Sequence, residues 1–285
     1  MKHRFIESHR STHTVEKMAK TLGVSRSGYY ACRGRGETKR QRESKAVVEA
    51  VREIQNRVRH RCGSPRVTAQ LRRQGMRLGH NRVARLMREH WLNARPRRKF
   101  VVTTNSAHTQ EVAENLPNRQ FKVAGPNRVW ASDISYLPTG EGWLYVCVVL
   151  DLGTKRVVGW SLGSSLGTEL VIRAFLMAWM RRMPPKGIMF HSDRGSQYCS
   201  DRFRSLLHHK RVIQSMSRKG SCWDNACVES FFRTLKSELI GSRIFRSREQ
   251  ARVEIFEYLE VFYNRFRLHS ALDYLSPEEY ELLVA

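Results

Sequence analysis

Three apolar runs rich in β-branched and aromatic residues follow one another closely, at residues 129–137, 143–150 and 156–162. The connections between them, Gly140-Glu141-Gly142 and residues 151–155, are far shorter than the dozen or more residues that a parallel crossover needs, so the three strands run antiparallel. The period then changes. Residues 168–182 have helical spacing and lead to a short apolar run at 187–191, and a second helix at 200–210 leads to another at 212–215. Such an order predicts an α/β domain: a five-stranded mixed sheet with flanking helices.

Three acids are marked out by their settings. Asp133 interrupts the first strand, where an unpaired charge is costly. Asp193 follows the fourth strand and precedes the turn signal Arg194-Gly195-Ser196. Glu229 lies in an amphipathic helix at 224–236, with Asn225, Glu229 and Lys236 on one face and Val228, Phe231, Phe232 and Leu235 on the other. Carboxylate oxygens suit hard divalent cations such as Mg²⁺ or Mn²⁺, whereas histidines and thiolates favour zinc. Two such ions roughly 3.5–4 Å apart can serve both the attacking and the leaving oxygen of a phosphodiester. Asp133, Asp193 and Glu229 therefore read as one catalytic and metal-binding set. Asp151, ending the second strand, reads as a turn acid. His191, two positions before Asp193, either neighbours the ions or completes a packing face.

The formal net charge is +25, and residues 1–100 hold 27 Lys and Arg against 7 Asp and Glu, leaving only +5 on the remaining 185 residues. A basic front on a nearly balanced body points to a polyanion partner. Residues 1–36 contain helix-turn-helix grammar. Met18, Ala19 and Leu22 face inward, Gly23 stops the helix, Ser25 caps the next, and Arg26 starts it. Residues 37–45 read as a charged connector. A second basic helical unit, residues 45–100, places Val47, Val48, Val51 and Ile54 inward on one helix and starts another at Ser64-Pro65. Its last helix buries Val83, Leu86 and Met87 and turns Arg82, Arg85 and Arg88 outward, as candidate phosphate contacts.

Residues 101–124 read as a linker, and residues 216–222 as a mobile basic loop with Arg218 and Lys219 on substrate phosphates. In the C-terminal segment, Val253, Ile255, Phe256, Leu259 and Phe262 are expected to face the core, and residues 263–269 to lock the end of the domain. The six cysteines are dispersed without a CxxC pair, which suits reduced thiols. Cys32 and Cys62 lie thirty positions apart, so they do not read as a zinc site with His9 and His13. No apolar run reaches 18 residues and the first twenty are polar, so neither a membrane span nor a signal peptide is expected, and the reading is a cytoplasmic, nucleoid-associated protein without a membrane partner.

The segments WASDISYLP, GWLYVCVVLDLGTKRVVGWSL, FHSDRGSQY, WDNACVESFFRTLKSEL and YNRFRLHSALDYLSPEEY together resemble the DDE transposases of bacterial insertion sequences, specifically the downstream-frame product of the IS-three family, whose catalytic core is like that of retroviral integrases. The 35 residues between Asp193 and Glu229, and the basic residue seven after the glutamate, Lys236, are marks of that class. The resemblance implies an RNase H-like catalytic core at 125–240 with a helical extension at 241–285. In that fold the first and fourth strands are neighbours, so Asp133 and Asp193 meet and the later helix brings Glu229 to them. It further implies two Mg²⁺ or Mn²⁺ ions, substrate phosphate held by the face carrying Asn225 and Lys236, DNA partners in the element's terminal inverted repeats and target, assembly as a homo-oligomer on DNA, and a partner or fusion from an upstream frame with a helix-turn-helix and coiled coil. The implied activity is DNA cleavage followed by strand transfer. The chain departs from the family at Arg61-Cys62-Gly63, where relatives tend to carry Tyr-Gly. The rival readings are an RNase H-like nuclease without strand transfer and a non-enzymatic DNA-binding regulator.

Overall fold

In the computed structural model, which describes residues 2–34, 37–94, 113, 123–218, 225–241 and 243–284, five strands form one mixed sheet. They are β1 (Val129–Thr139), β2 (Gly142–Asp151), β3 (Val157–Gly163), β4 (Met189–Ser192) and β5 (Ile213–Met216), in the order β3-β2-β1-β4-β5. β1 to β3 form an antiparallel meander, and β4 and β5 join parallel beyond β1. This is the mixed sheet that the runs and connection lengths predict.

Both faces of the sheet are covered, and the strands alternate between two cores. From β1 and β2, Ala131, Leu137, Leu144, Val146, Val148 and Leu150 enter one core, while Trp130, Cys147 and Val149 enter the other. Such a period of two is what the pleat of a strand imposes.

Among the described residues, six helices precede the sheet. α1 (Lys2–His9), α2 (Val15–Leu22) and α3 (Arg26–Gly34) share a small core of their own around Ile6, Met18, Ala19 and Tyr29. α2 stops at Gly23 in the left-handed conformation, and the Gly28 N–H donates to the Ser25 hydroxyl, as the caps in the sequence predict. α1 was not foreseen. It is an eight-residue, mostly polar helix held by one buried apolar residue, Ile6, so it carries little periodic signal. The expected connector at 37–45 is instead largely helix. α4 runs from Lys39 to Arg57 behind a capping box in which the Thr38 hydroxyl accepts from the Gln41 N–H and the Gln41 side chain accepts from the Thr38 N–H. α5 (Ser64–Arg73) is capped by Gly63 rather than Ser64, and α6 (His80–Glu89) buries Val83, Leu86 and Met87.

One face of the sheet carries α7 (Thr168–Arg182), α8 (Ser196–Cys199) and α9 (Asp201–His209). The other carries α10 (Ala226–Leu235) and α11 (Arg248–Phe256), with α12 (Pro277–Val284) closing the described chain. α10 widens into a π-helical turn at Lys236–Ile240, and α11 into another at Glu257–Phe266. Val253 and Phe256, expected in the core, are 60% and 52% exposed. Burial instead follows Ala251, Ile255, Tyr258, Leu259 and Phe262, and the edge of Phe256 meets Trp160 at the surface, with ring centroids 6.2 Å apart. Residues 263–269 mostly turn inward: Tyr263 is buried, and the Asn264 amide bonds both the N–H and the C=O of Val157, each at 2.9 Å. Most of the linker at 101–124 lies outside the described residues.

A buried charge cluster ties α5 to the segment after α10. Glu238 accepts from Arg267 Nε and Nη2, from Arg66 Nη1 at 2.9 Å and from the Tyr258 hydroxyl at 2.9 Å. At the departure from the family pattern, Arg61 is buried with its guanidinium 4.9 Å from the Phe262 ring centroid and 5.3 Å from that of Tyr258. The arginine thus sits against aromatic faces rather than in solvent. Among the described residues no helix is long and apolar enough to cross a membrane.

Although burial alone would raise it, the charges and hydrogen bonds of Arg267 and Arg66 hold the Glu238 carboxyl below the ordinary glutamate range. A carboxyl depressed in the folded state contributes stability above its unfolded pKa and loses it as pH falls through the folded one. Removing one partner of such a pair typically costs about 3–5 kcal/mol because the other charge is left buried. Urea unfolding of Glu238→Ala at neutral pH is expected to show a loss of that order. The gap to wild type should shrink as pH falls below the glutamate range.

Candidate active site

The parallel register between β1 and β4 sets Ser132 opposite Ser192, so the next residue on each chain, Asp133 and Asp193, leaves the strand pair at the same end. Beneath them the Ser132 and Tyr198 hydroxyls are hydrogen-bonded at 2.8 Å within the second core. The Asp193 carboxylate accepts the Gly195 N–H at 3.0 Å, closing the turn. A Cβ at position 195 would stand 3.1 Å from that oxygen and 3.0 Å from the Gln197 side chain, so any larger residue there would have to displace one of the two. Asp133 accepts the Ile134 N–H at 2.8 Å.

α10 packs against β1 and carries Glu229 in its first turn. Its cap residue, Asn225, is 5% exposed, and its side-chain NH₂ donates to the Ser132 C=O at 3.4 Å. That bond joins the start of the glutamate's helix to the residue just before Asp133. The Asn225 side-chain oxygen is buried and finds no donor among the described residues. Lys236 begins the π turn, and its ammonium lies 5.2 Å from the Tyr136 ring centroid.

The charges of this group act on one another. Burial first, and then the charges of Asp193 and Glu229, push the Asp133 carboxyl well above the usual aspartate range, against the Ile134 N–H and Lys236. Glu229 is also raised, by burial and by Asp193, with Arg233 one turn later opposing. Burial lowers the Lys236 ammonium to about 8, against the pull of Asp133. Like charges held together in a partly desolvated place are the condition a divalent cation relieves. Among the described residues, however, no three His, Cys, Asp or Glu side chains are gathered closely enough to enclose one ion together. The three carboxylates influence one another without forming a closed cage.

His191 is fully buried, with Nδ1 3.0 Å from the Ser215 hydroxyl and Nε2 3.2 Å from that of Ser217. Both ring nitrogens are engaged between β4 and β5, so of the two expectations for this residue packing is the one met. Asp151 is buried and accepts the N–H groups of Asn127, Gly153 and Thr154, as befits a turn acid.

The structure brings Asp133, Asp193, Glu229, Asn225 and Lys236 together; the other candidates lie on separate elements. Arg26 pairs with Glu16 at 3.5 Å and Arg85 with Glu89 at 3.4 Å, both exposed. Arg82 is half-buried, not outward, because it bonds the Ser44 hydroxyl at 3.3 Å and lies 3.6 Å from Glu43 on the unforeseen first half of α4. Arg88 is exposed on α6, and Arg218 is exposed just after β5. Lys219 and most of the loop at 216–222 lie outside the described residues. Sequence reasoning missed Arg233, although its spacing of four from Glu229 was the available signal.

Residues 123–222 and residues 210–277 each match an integrase core domain family, and residues 42–100 match an HTH-like domain family. The chain is 42% identical over 283 residues to the transposase InsF for insertion sequence IS3A of Escherichia coli (strain K12), covering 99% of this chain and 98% of that protein. It is 40% identical over 272 residues to the insertion element IS600 uncharacterized 31 kDa protein of Shigella sonnei, covering 94% and 100%. A cryoEM structure of the simian T-cell lymphotropic virus intasome in complex with PP2A regulatory subunit B56 gamma aligns with a TM-score of 0.47 and 12% identity, over 80% of this chain and 73% of that one.

Crowded carboxylates trade stability for chemistry. In metal-free buffer at neutral pH, Asp133→Asn is expected to unfold at higher urea than wild type, because the substitution removes a buried charge that Asp193 and Glu229 repel. An unchanged or lower midpoint would mean that the repulsion is already relieved within the chain.

Proposed function

The chain belongs to the transposases of the IS-three insertion-sequence family, and we propose that Asp133, Asp193 and Glu229 are the carboxylates that carry its phosphoryl chemistry on DNA. A transposase with an integrase core is a polynucleotidyl transferase and works on DNA. The observation that supports the assignment to these residues is the crowding of the two aspartates where the pairing of β1 with β4 ends, within the electrostatic reach of Glu229 and Lys236.

The carboxylates are hard oxygen donors, so the set suits Mg²⁺ or Mn²⁺, two ions by our reading. Bound there, such ions would lower the pKa of an attacking water and neutralise charge on the leaving oxygen. Asp133 and Asp193 would hold them where the β1–β4 pairing ends, and Glu229 would complete the set from α10. Lys236 holds a non-bridging phosphate oxygen. Asn225 fixes the start of α10 against β1 and so positions Glu229.

In the first step a water oxygen attacks phosphorus at the element end, and the bond to the 3′ oxygen breaks, leaving a 3′-hydroxyl. In the second step that hydroxyl oxygen attacks the phosphorus of another phosphodiester, the bond from that phosphorus to its own 3′ oxygen breaks, and the departing oxygen takes up a proton as the attacking hydroxyl loses one. Arg218 and Lys219 contact the strand at the core. Arg26, Arg82, Arg85 and Arg88 contact terminal-repeat phosphates, Arg82 and Arg85 exchanging their carboxylate partners for phosphate. The division of labour follows the segments 1–36 and 45–100 for DNA binding, 101–124 as linker, 125–240 for catalysis and 241–285 as its support. Assembly as a homo-oligomer on DNA, with an upstream-frame partner or fusion, completes the proposal.

The test is an assay with labelled element-end duplex and Mg²⁺, read on a sequencing gel beside a binding measurement. Glu229→Gln is expected to lose joined products by more than about 100-fold, beyond the loss usual for outer partners of a metal ligand, while binding the duplex as wild type does. Near-normal joining by Glu229→Gln would refute the assignment. Cleavage without joining by wild type would favour the nuclease reading.

A further inference from the structure

A pocket of about 440 Å³ opens on the flank of α10, next to the face that carries Glu229. Four cationic side chains line it: Arg66 of α5, Lys155 of the β2–β3 turn, Arg233 of α10 and Arg267. No carboxylate lines it among the described residues. The α10 face there presents small and hydroxylated residues, Ala226, Ser230, Thr234 and Ser237, at helical spacing, while Leu150, Phe231 and Tyr263 give it apolar walls. Glu238 compensates Arg66 and Arg267 with a single charge from behind. Among the described residues Lys155 donates to the Leu152 C=O, at 2.7 Å, a bond that leaves its charge uncancelled. The pocket therefore carries surplus positive charge. His269 in its wall registers that potential: burial, then the charges of Arg267, Arg66 and Lys155, hold its imidazole neutral, with a pKa near about 2.

We propose that this pocket is a phosphate site, distinct from the carboxylate centre, that holds a backbone phosphate of the DNA strand passing over α10. Fixed cations and hydroxyl donors with no competing carboxylate are what a phosphate oxygen needs. The pocket exists only where α5 meets the catalytic core, because Arg66 comes from the one and Lys155 and Arg233 from the other. A strand seated there engages the helical unit and the core at once, and Arg233 lies one turn from Glu229 on the same helix. The DNA source of the phosphate rests on the transposase reading; the phosphate chemistry does not.

The experiment uses the full chain and two variants from separate elements, Lys155→Gln and Ser230→Glu, after thermal unfolding shows both to be folded. Binding of element-end duplex is measured across a salt series, and alkylation of Cys227, which lines the pocket, is followed by peptide mass spectrometry with and without inorganic phosphate. The expected result is weaker duplex binding by both variants, with Lys155→Gln lowering the slope of log affinity against log salt by about 0.9, one phosphate contact. Phosphate should also slow alkylation of Cys227 in wild type and not in Ser230→Glu. Unchanged duplex binding with phosphate protection intact in wild type would assign the site to a small phosphate-bearing molecule in place of a strand. Unchanged binding and no protection by phosphate would overturn the proposal. A wild-type chain that fails to bind duplex at all would count against the transposase reading, and the alkylation arm would still decide the pocket.

Discussion

Parallel pairing of β1 with β4 is the constraint from which the rest of the site follows. A parallel pair is reached only through a crossover, and here the chain spends a meander and α7 to return beside β1. The return brings together two aspartates sixty positions apart in sequence and sets them in a partly desolvated place beside each other's charge. Such a pair is a liability in a sheet packed on both faces against apolar cores. The second layer of the fold manages that liability. Asn225 joins α10 to the Ser132 carbonyl, Lys236 brings a positive charge near Asp133, and Gly195 leaves room for the Asp193 carboxylate within its turn.

The same helix links the carboxylates to the rest of the molecule. Glu229 stands in its first turn and Arg233 in its last, and Lys236 and Glu238 sit on the π turn that continues it. A π turn inserts an extra residue into the helical ladder and re-aims the side chains after it. Here Lys236 points toward the site while Glu238 is buried with Arg267 and Arg66. The basic helical unit is thereby fastened to the helix that carries the third carboxylate. Arg61, which departs from the family's usual residues, takes part in the same joint by lying over Tyr258 and Phe262.

Much of this was legible in the sequence, for definite physical reasons. Strands covered on both faces read as nearly continuous apolar runs, so residues 129–162 could be read as three strands and Asp133 as an intruder among them. The spacing of Asn225, Glu229 and Lys236 was readable because a helix repeats every 3.6 residues. Other features depend on partners that a local pattern does not reveal. The first half of α4 is charged and largely exposed, and its start is set by a capping box at Thr38 and Gln41, nine positions before the first inward residue, Val47. Val253 and Phe256 look like core residues, but the helix turns them outward because Ile255, Tyr258 and Leu259 fill the space beneath. Arg82 looks outward until α4 supplies Ser44 and Glu43. The pocket beside α10 draws on four segments, the most distant about two hundred positions apart, and no motif announces it.

Ligand replacement tests whether the aspartates at the end of the β1–β4 pairing hold the ions that phosphoryl transfer needs. A thiolate is a poor ligand for Mg²⁺ and a better one for softer divalent ions. The strand-transfer products of Asp193→Cys would be compared in Mg²⁺ and in Mn²⁺, with binding to element-end duplex measured alongside. The expected result is lost joining in Mg²⁺, recovery in Mn²⁺ and unchanged binding. Joining in Mg²⁺ at the wild-type level would contradict it, since a residue that can be replaced by a thiol without regard to the ion is not a ligand.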